Sequence, residues 1–554
     1  LPSSNKGFIM NIIDKAIGIF NPQKALNREV ARKRLDILAS YSNYGANRTK
    51  KNMIGWQTRS QSPDDDIVKN IPLLRERSRD LFSGGATLAT GAIKTISTNV
   101  VGAGLRPNAQ IDFEFLGLTD DEADQWELQA EREFRLWAEN PNCDATRLNN
   151  FYEMQYLAFM SVLLSGDVFA TLPIIPRPNS IYDLRVELIE ADFVCNPTKI
   201  DSVKDILEGV EVGEWGDPLA YYIAKYHPKS SKAMKNEWKR IPAYGAKSGR
   251  RNVLHLLTME RPNQRRGVPL LSPVVETLKQ LGRYTDAELT AAVISGMFSV
   301  FIKTEDPQNP LGESSIPYDQ QIDSNDENSY EMGAGAIMAL EPNQSIEIAN
   351  PGRPNTAFDG FITSLARQVG VALELPYELL IKHFTASYSA SRAALLEAWK
   401  MFRMKRVWLS SNFCQPIYEE WLTEAILKGR IQAKGFFDDP AIRQAWCGVE
   451  WVGPSQGQID PVKEANAAAI RVEQGFSTRE REAMELTGGN FSTINKIRIK
   501  EERLRRDGEL VTDNNGLPIG TAEDIANKNA NIANNEVQAK LKLIEGLSNI
   551  WLNF

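Results

Sequence analysis

Apolar positions recur at helical spacing along most of this 554-residue chain, and strand-like pieces interrupt them only within residues 71–265. The stretch IPLLRERSRDLFSGGATLATGAIKTISTNVVGAGL predicts two helices separated by Gly84-Gly85 and closed by Gly102 and Gly104. A further helix is predicted over 120–138, with Trp126, Phe134 and Trp137 among its apolar positions. Strands are predicted in LRVELIEADFVCNP and GVEVGEWGDPLAYYIAKY, punctuated by the turn residues Gly216-Asp217-Pro218. Together these describe an α+β body.

Beyond the body the pattern is almost wholly helical. A helix over 273–295 has Ser272 as its cap, Pro273 in its first turn and Gly296 at its end. At about 1.5 Å per residue it spans roughly 35 Å. A second helix is predicted over 356–372, ending near Gly370 or before Pro376. The polar stretch HFTASYSAS, residues 383–391, reads as a loop. It leads into a very long helix from about Ser389 to Leu427, in which Pro416 should introduce a kink. Such a helix, roughly 55 Å long, needs partners along its whole length. Residues 460–510 are again helical and end in the basic run INKIRIKEERLRR. After Gly508 the chain has an Asn-rich linker composition, followed by an amphipathic helix over about 536–552 with Leu541, Ile544, Leu547, Ile550 and Trp551 apolar. At the other end, residues 10–51 read as helical and basic, with Lys24, Arg28, Arg32, Lys33, Arg34, Arg48, Lys50 and Lys51 against Glu29 and Asp36. They form either a solvated arm or one that grips a neighbouring subunit or an anionic surface. Met10, the first methionine, reads as the natural start.

Charge changes this picture in one place. Between Thr304 and Glu347 there are ten acidic residues and no Lys or Arg, an excess larger than the −7 of the whole chain. This segment reads as an exposed loop region that would repel DNA and suit a docking rim. An acidic chain is a poor candidate for tight, sequence-reading DNA binding, because affinity for DNA grows with each phosphate neutralised. Loose contact with DNA is compatible with it. The four cysteines, Cys143, Cys195, Cys414 and Cys447, form no C-x-x-C pair and read as reduced thiols. No apolar run reaches transmembrane length, and FIMNIIDKAIGIF, with Asp14 and Lys15 inside it, reads as an amphipathic helix rather than a signal peptide.

A search for catalytic chemistry returns little. GPSQG at 453–457 matches a nucleophile elbow, but Pro454 is awkward in that turn and no histidine follows His383. GATLATGAIKT at 85–95 resembles a phosphate loop but lacks the G-K-[ST] ending, and reads as helix. His227, His255 and His383 have no metal-ligand spacing, and His255 in VLHLLT reads as a packed strand histidine. A two-metal nuclease site cannot be assembled. No enzyme, cofactor or metal is expected.

The order of elements and several segments resemble the lambda-like family of tailed-bacteriophage portal proteins. The segments are LRERSRDLFSGGATLATGAIKTISTNVVGAGL, SGDVFA, GVEVGEWGDPLAYYIAKYHP, RRGVPLLSPVVETLKQLGRYTDAELTAA, HFTASYSASRAALLEAWKMF and WVGPSQGQIDPVKEANAAAIRVEQGFSTRERE, in that order. The resemblance covers roughly residues 10–510. It implies a mainly helical α+β portal fold: basic arm (1–51), wing (52–267), stem helix (268–297), acidic clip (298–355), second stem helix (356–375), tunnel loop (376–391), long kinked helix and rest of wing (392–458), crown (459–510), then the linker and C-terminal helix (511–554).

It further implies a ring, most often of twelve copies, at one capsid vertex of the virion, assembled in the bacterial cytoplasm, through which double-stranded DNA is packaged and ejected. The expected partners are non-specifically held DNA, the terminase large subunit, a head-completion or adaptor protein, and the major capsid and scaffolding proteins, with no membrane. In the tunnel loop, Lys382, His383, Thr385, Ser387, Tyr388 and Ser389 are expected to approach the DNA backbone; the alternative is packing between subunits. In the crown, Lys496, Arg498, Lys500, Arg503, Arg505 and Arg506 are expected to face DNA; the alternative is ion pairing with Glu501 and Glu502. In the clip, Asp319, Asp323, Asp326 and Glu327 are the docking candidates. Two other functions compete: a DNA-processing enzyme of the same packaging machine, such as terminase, and a capsid-associated minor protein that forms no ring.

Overall fold

The structure is a computed structural model, and it describes residues 61–198, 205–296, 300–304, 344–348, 358–384, 387–457, 461–487, 489, 491–507, 510–512 and 518–521. Leu1–Ser62 and Pro63–Phe554 are separate compact units, and every described helix and strand belongs to the second. The basic arm, the acidic segment between 305 and 343 and the C-terminal helix expected over 536–552 lie outside the described residues.

Helices α1 (Ile71–Asp80) and α2 (Thr87–Val100) are separated by a π-turn over Leu81–Gly85, where the Gly84-Gly85 pair breaks the helical path. Gly102, at φ +57, then turns the chain so closely under Pro454 that a Cβ would sit 2.5 Å from the proline ring. Helix α3 (Asp120–Ala138) begins with a capping box between Thr119 and Glu122, and α4 (Phe151–Ser165) with one between Asn150 and Glu153. α3 buries Ala123, Trp126, Ala130, Phe134 and Trp137, the stripe its sequence marks.

Phe134 is the centre of the core. Its ring lies 5.5 Å from Trp137, 5.7 Å from Phe151, 5.4 Å from Tyr418 and 5.0 Å from Trp421, in tilted and edge-on arrangements that favour aromatic pairs. Burying a side chain of this kind contributes about 1.5–3 kcal/mol. The aromatic cluster therefore bolts residues near 420 to residues near 135 across a long sequence separation.

Against these helices lie antiparallel strands. β2 (Asp167–Thr171) is flanked by β3 (Glu187–Glu190) and β8 (Val253–Leu257). A four-stranded sheet runs in the order β4 (Ile206–Leu207), β5 (Val210–Val212), β6 (Pro218–Ala224), β7 (Trp238–Pro242). β1 (Arg106–Ala109) pairs with β11 (Val449–Val452), so the body closes on itself late in the chain. The expected α+β body is present.

A 3-10 turn over Ser272–Val274 opens onto α5 (Val275–Gly296). Here the structure departs from the sequence reading: Ser272 makes no cap, and its hydroxyl is buried without a hydrogen-bond partner. The chain enters α5 through the 3-10 turn, so the helix has no free N-terminal residue for a serine to serve. α5 leads to β9 (Val300–Thr304), which pairs antiparallel with β10 (Gln344–Ile348); two strands thus bracket the acidic segment where only loop was expected.

α6 (Phe358–Ala372) returns, with Phe358 and Phe361 against Tyr284 of α5 at 5.7 and 4.8 Å. The long helix starts at Tyr388, one residue earlier than read, as α8 (Tyr388–Leu409), and continues as α9 (Gln415–Leu427) after the short helix α7 (Tyr377–Ile381). A π-turn over Ser410–Cys414 joins α8 and α9 immediately before Pro416. Proline lacks the N–H that the Asn412 carbonyl would need at helical spacing, which accounts for the irregular turn. Helices α10 (Pro461–Glu473), α11 (Arg479–Thr487) and α12 (Phe491–Asp507) follow. Past Gly508 the sequence reads as linker, but β12 (Leu510–Thr512) and β13 (Pro518–Thr521) form a hairpin there. Its connecting TDNNG composition is as suited to a turn as to a linker.

Candidate functional site

The loop expected at 376–391 is built from a helix and a reversal. Pro376 opens α7, and Lys382 then adopts φ +56, its N–H donating to the Glu378 carbonyl; the His383 N–H donates to the same carbonyl at 3.1 Å. A non-glycine residue in this region carries strain of the order of 1–3 kcal/mol and is held there by its surroundings. Lys382, His383, Ser387 and Ser389 are exposed. Thr385 lies outside the described residues. Ser387 is the N-cap of α8, its hydroxyl accepting from Ala390 N at 3.4 Å. Tyr388 and Ser389 therefore belong to the first turn of the long helix and not to the loop.

On α12, Lys496, Arg498, Lys500, Arg503 and Arg505 are all exposed. Arg505 reaches Glu502 at 4.0 Å, an i,i+3 pair of the kind weighed as the alternative. Lys496 is close enough to Glu131 on α3 to oppose the upward push that burial gives that carboxyl. Arg506 is in the last turn of α12, and its side chain lies outside the described residues, as do Asp319, Asp323, Asp326 and Glu327. Among the described residues, Lys382, His383, Ser387 and Ser389 lie between α7 and the start of α8, and Lys496, Arg498, Lys500, Arg503 and Arg505 share α12.

What sequence reasoning missed is a buried charge junction at the root of α5. Asp167 begins β2 and is fully buried. It accepts from Arg75 Nη2 at 2.7 Å, Arg266 Nε at 2.6 Å and Gly267 N at 3.2 Å, and lies 3.4 Å from His255 Nε2. Arg75 also donates to Ser165 O at 2.8 Å and to Asp192 at 3.1 Å. Arg79 joins from the next turn of α1, 2.6 Å from Asp192 and 2.9 Å from Glu190. Arg266 completes its fork on the carbonyls of Val194, Glu208 and Ala191.

Burial alone would raise the Asp167 carboxyl, but Arg266 and Arg75 outweigh it and hold it far below the usual carboxylate range. Burial pushes His255 down, and the Asp167 contact opposes this only in part, so its imidazole stays neutral. The backbones meet as closely as the charges: a Cβ on Gly267 would sit 1.9 Å from the Gly166 carbonyl oxygen. Leu270 N donates to Leu163 O at 2.9 Å, which pins the chain just before the 3-10 turn of α5. The junction therefore sets how the chain leaves the body. A signal was present: LRERSRD, SGDVFA and RRGVP each place charge beside apolar or glycine positions, but pairing them needs three dimensions.

The segments read as possible chemistry have structural roles. GATLATGAIKT runs into α2, as expected. In GPSQG, the Pro454 carbonyl accepts from Arg406 Nη2 at 2.8 Å, tying that loop to α8. Among the described residues no group of three or more His, Cys, Asp or Glu is placed to hold a metal ion, and no helix is long and apolar enough to cross a membrane.

The description "Phage portal protein, lambda family" matches residues 49–406, well over half the chain. The chain belongs to the lambda family of phage portal proteins. Portal protein B of Escherichia phage lambda is 24% identical over 473 residues, covering 82% of this chain and 88% of the relative. The portal protein of Escherichia phage N15 is 23% identical, with the same coverage of both chains. Among solved structures, a chain from the neck of the native GTA particle computed with C12 symmetry aligns at TM-score 0.39 and 13% identity, covering 74% of this chain and 94% of that one. The family is structural, and its role is that of the portal at the capsid vertex of the virion. The junction at Asp167 lies wholly within the matched residues, as does the segment carrying Lys382 and His383. The helix carrying Lys496 to Arg506 lies beyond them.

Proposed function

We propose that copies of this portal protein, twelve in the arrangement the resemblance implies, close into a ring through which double-stranded DNA is packaged and ejected, and that the subunit turns over no substrate. The observation that carries this is the family match over residues 49–406. Residues 52–267 serve as wing, α5 and α6 as stem, residues 298–355 as clip, 376–391 as tunnel loop and 459–510 as crown. The acidic clip, with Asp319, Asp323, Asp326 and Glu327, docks the terminase large subunit during packaging and a head-completion or adaptor protein afterwards. The major capsid and scaffolding proteins contact the ring during assembly in the bacterial cytoplasm.

A conduit must let a duplex slide, so its wall should offer few cations. Lys382, His383, Thr385, Ser387, Tyr388 and Ser389 approach the sugar–phosphate backbone and read no bases. The crown cations Lys496, Arg498, Lys500, Arg503, Arg505 and Arg506 meet DNA already inside. Electron-microscope class averages of the purified protein along the ring axis test the architecture: rings with a central hole are expected, and a closed particle without a channel would overturn it. Deleting residues 382–390 should leave the rings intact while impairing DNA packaging or retention. Loss of the rings would instead make the loop an assembly element.

A further inference from the structure

A second buried cation lies in the body, away from the Asp167 junction. Arg185 has no exposed surface. Its Nη1 donates to Leu184 O at 2.9 Å and its Nη2 to Ser180 Oγ at 3.0 Å, while its Nε is buried with no partner. Among the described residues no carboxylate lies within ion-pair distance of it. The nearby acids are already engaged. Glu424 accepts from Asp183 N and Leu184 N, at 2.5 and 2.9 Å, and pairs with Lys428 at 3.0 Å. Asp183 pairs with the same lysine at 2.9 Å.

Arg177 adds a second positive charge close by. Its guanidinium is spent on the carbonyls of Asn142, Asp144 and Ala145. Burial, and then repulsion from Arg177, push the Arg185 pKa down. Burying a charge without a counter-charge costs several kcal/mol, so a site of this kind wants negative charge.

Space for it exists. Arg185 lines a cavity of about 60 Å3 together with Trp137, Asn140, Asn142, Cys143 and Ser180. That exceeds the room one water needs. No carboxylate lines it, and burial holds the Cys143 thiol up at about 12, so the thiol is neutral there. We propose that this cavity is a binding site for a small monovalent anion of the halide class, held by the Arg185 guanidinium, with the side chains of Asn140, Asn142 and Asn179 lining the space around it. Asp183 and Glu424 pull the Arg185 pKa back up, but both are shared with Lys428; the anion adds counter-charge in direct contact, and it ties the 3-10 turn over Pro141–Cys143 to the segment between β2 and β3.

Two measurements on the full chain test this. The first is thermal unfolding in sodium chloride against sodium gluconate at matched ionic strength. The midpoint should rise by about 1 °C per tenfold chloride above saturation, and stay flat in gluconate. In Arg185→Met the chloride response should vanish. The second, on the unaltered chain and independent of whether the variant folds, is bromide anomalous diffraction: a peak in the cavity is expected. No anomalous peak, or an equal response to chloride and gluconate, would show that the cavity holds water alone and overturn the proposal.

Discussion

The body and the helices α10–α12 face the same problem, how to hold helices in place, and solve it with opposite materials. At the Asp167 junction of the body, buried charges meet partners on every side, and an aromatic cluster around Phe134 packs the neighbouring core. In α10–α12 the described residues include one buried apolar side chain, Ala468, while Val462, Ile470, Ile497, Ile499 and Leu504 are all exposed, as is Phe476 between α10 and α11. These helices meet the rest of the chain through polar pairs: Arg392–Glu464 at 3.1 Å, Arg403–Glu485 at 3.5 Å and Asn108–Glu480 at 3.3 Å. Partly exposed ion pairs such as the first two contribute about 0–1 kcal/mol each and weaken with salt. The body is thus a unit that holds itself together, whereas α10–α12 have little of their own beyond what further contacts would add.

The largest break in this contrast should come from Asp167→Asn. It leaves Arg75 and Arg266 buried with half their counter-charge gone, a loss of about 3–5 kcal/mol. Urea denaturation of the body should show the midpoint falling sharply. The combined variant Arg75→Met, Asp167→Leu, Arg266→Met should lose much less, because no charge is stranded. If the combined variant fell as far as the single one, packing rather than charge would hold the junction. The pH dependence follows from the depressed Asp167 pKa. Its contribution is present above the unfolded carboxylate value, near 4, and is lost as pH falls below that toward the folded value.

A smaller effect is expected in α10–α12. Raising sodium chloride from 0.1 to 1 M shortens the screening length from about 10 to about 3 Å. Hydrogen exchange in α10–α12 should then quicken while that of α3 and α4 stays unchanged. Equal response in both regions would erase the distinction between them.

Much of this arrangement is legible in the sequence, and the failures have a common cause. The stripe of α3, the break at Gly84-Gly85 and the position of the long helix all follow from local periodicity and glycine placement, which tertiary packing reinforces. Ser272 looked like a cap because local pattern cannot show that a 3-10 turn precedes the helix. The hairpin at β12 and β13 was hidden in a composition shared by turns and linkers. The Asp167 junction joins residues about a hundred positions apart, so no window of sequence contains it. The cations at 496–505 are exposed in part because charged residues on a helix with little apolar stripe have nowhere else to go, and exposure alone does not say what they face.

The mildest and sharpest test lies at the seam between the two regions. Glu127 on α3 accepts from Ile111 N at 2.9 Å, and burial raises its carboxyl to about 7. Asp124, Glu131 and Glu480 of α11 add to the rise. Because the folded pKa lies above the unfolded one, ionisation works against the folded state. Stability is therefore highest below about 4.5, declines as pH rises through the window between the two values, and stays reduced above about 7. Glu127→Gln keeps the acceptor for Ile111 N and removes the charge. It should stabilise the chain at pH 8 by about 1 kcal/mol, after allowance for solvent screening at a half-buried site, and have no effect near pH 4. If the gain at pH 8 also appears as slower hydrogen exchange in α11, the like charges of α3 and Glu480 are what loosen that helix; a gain confined to α3 would make the repulsion a matter of the body alone.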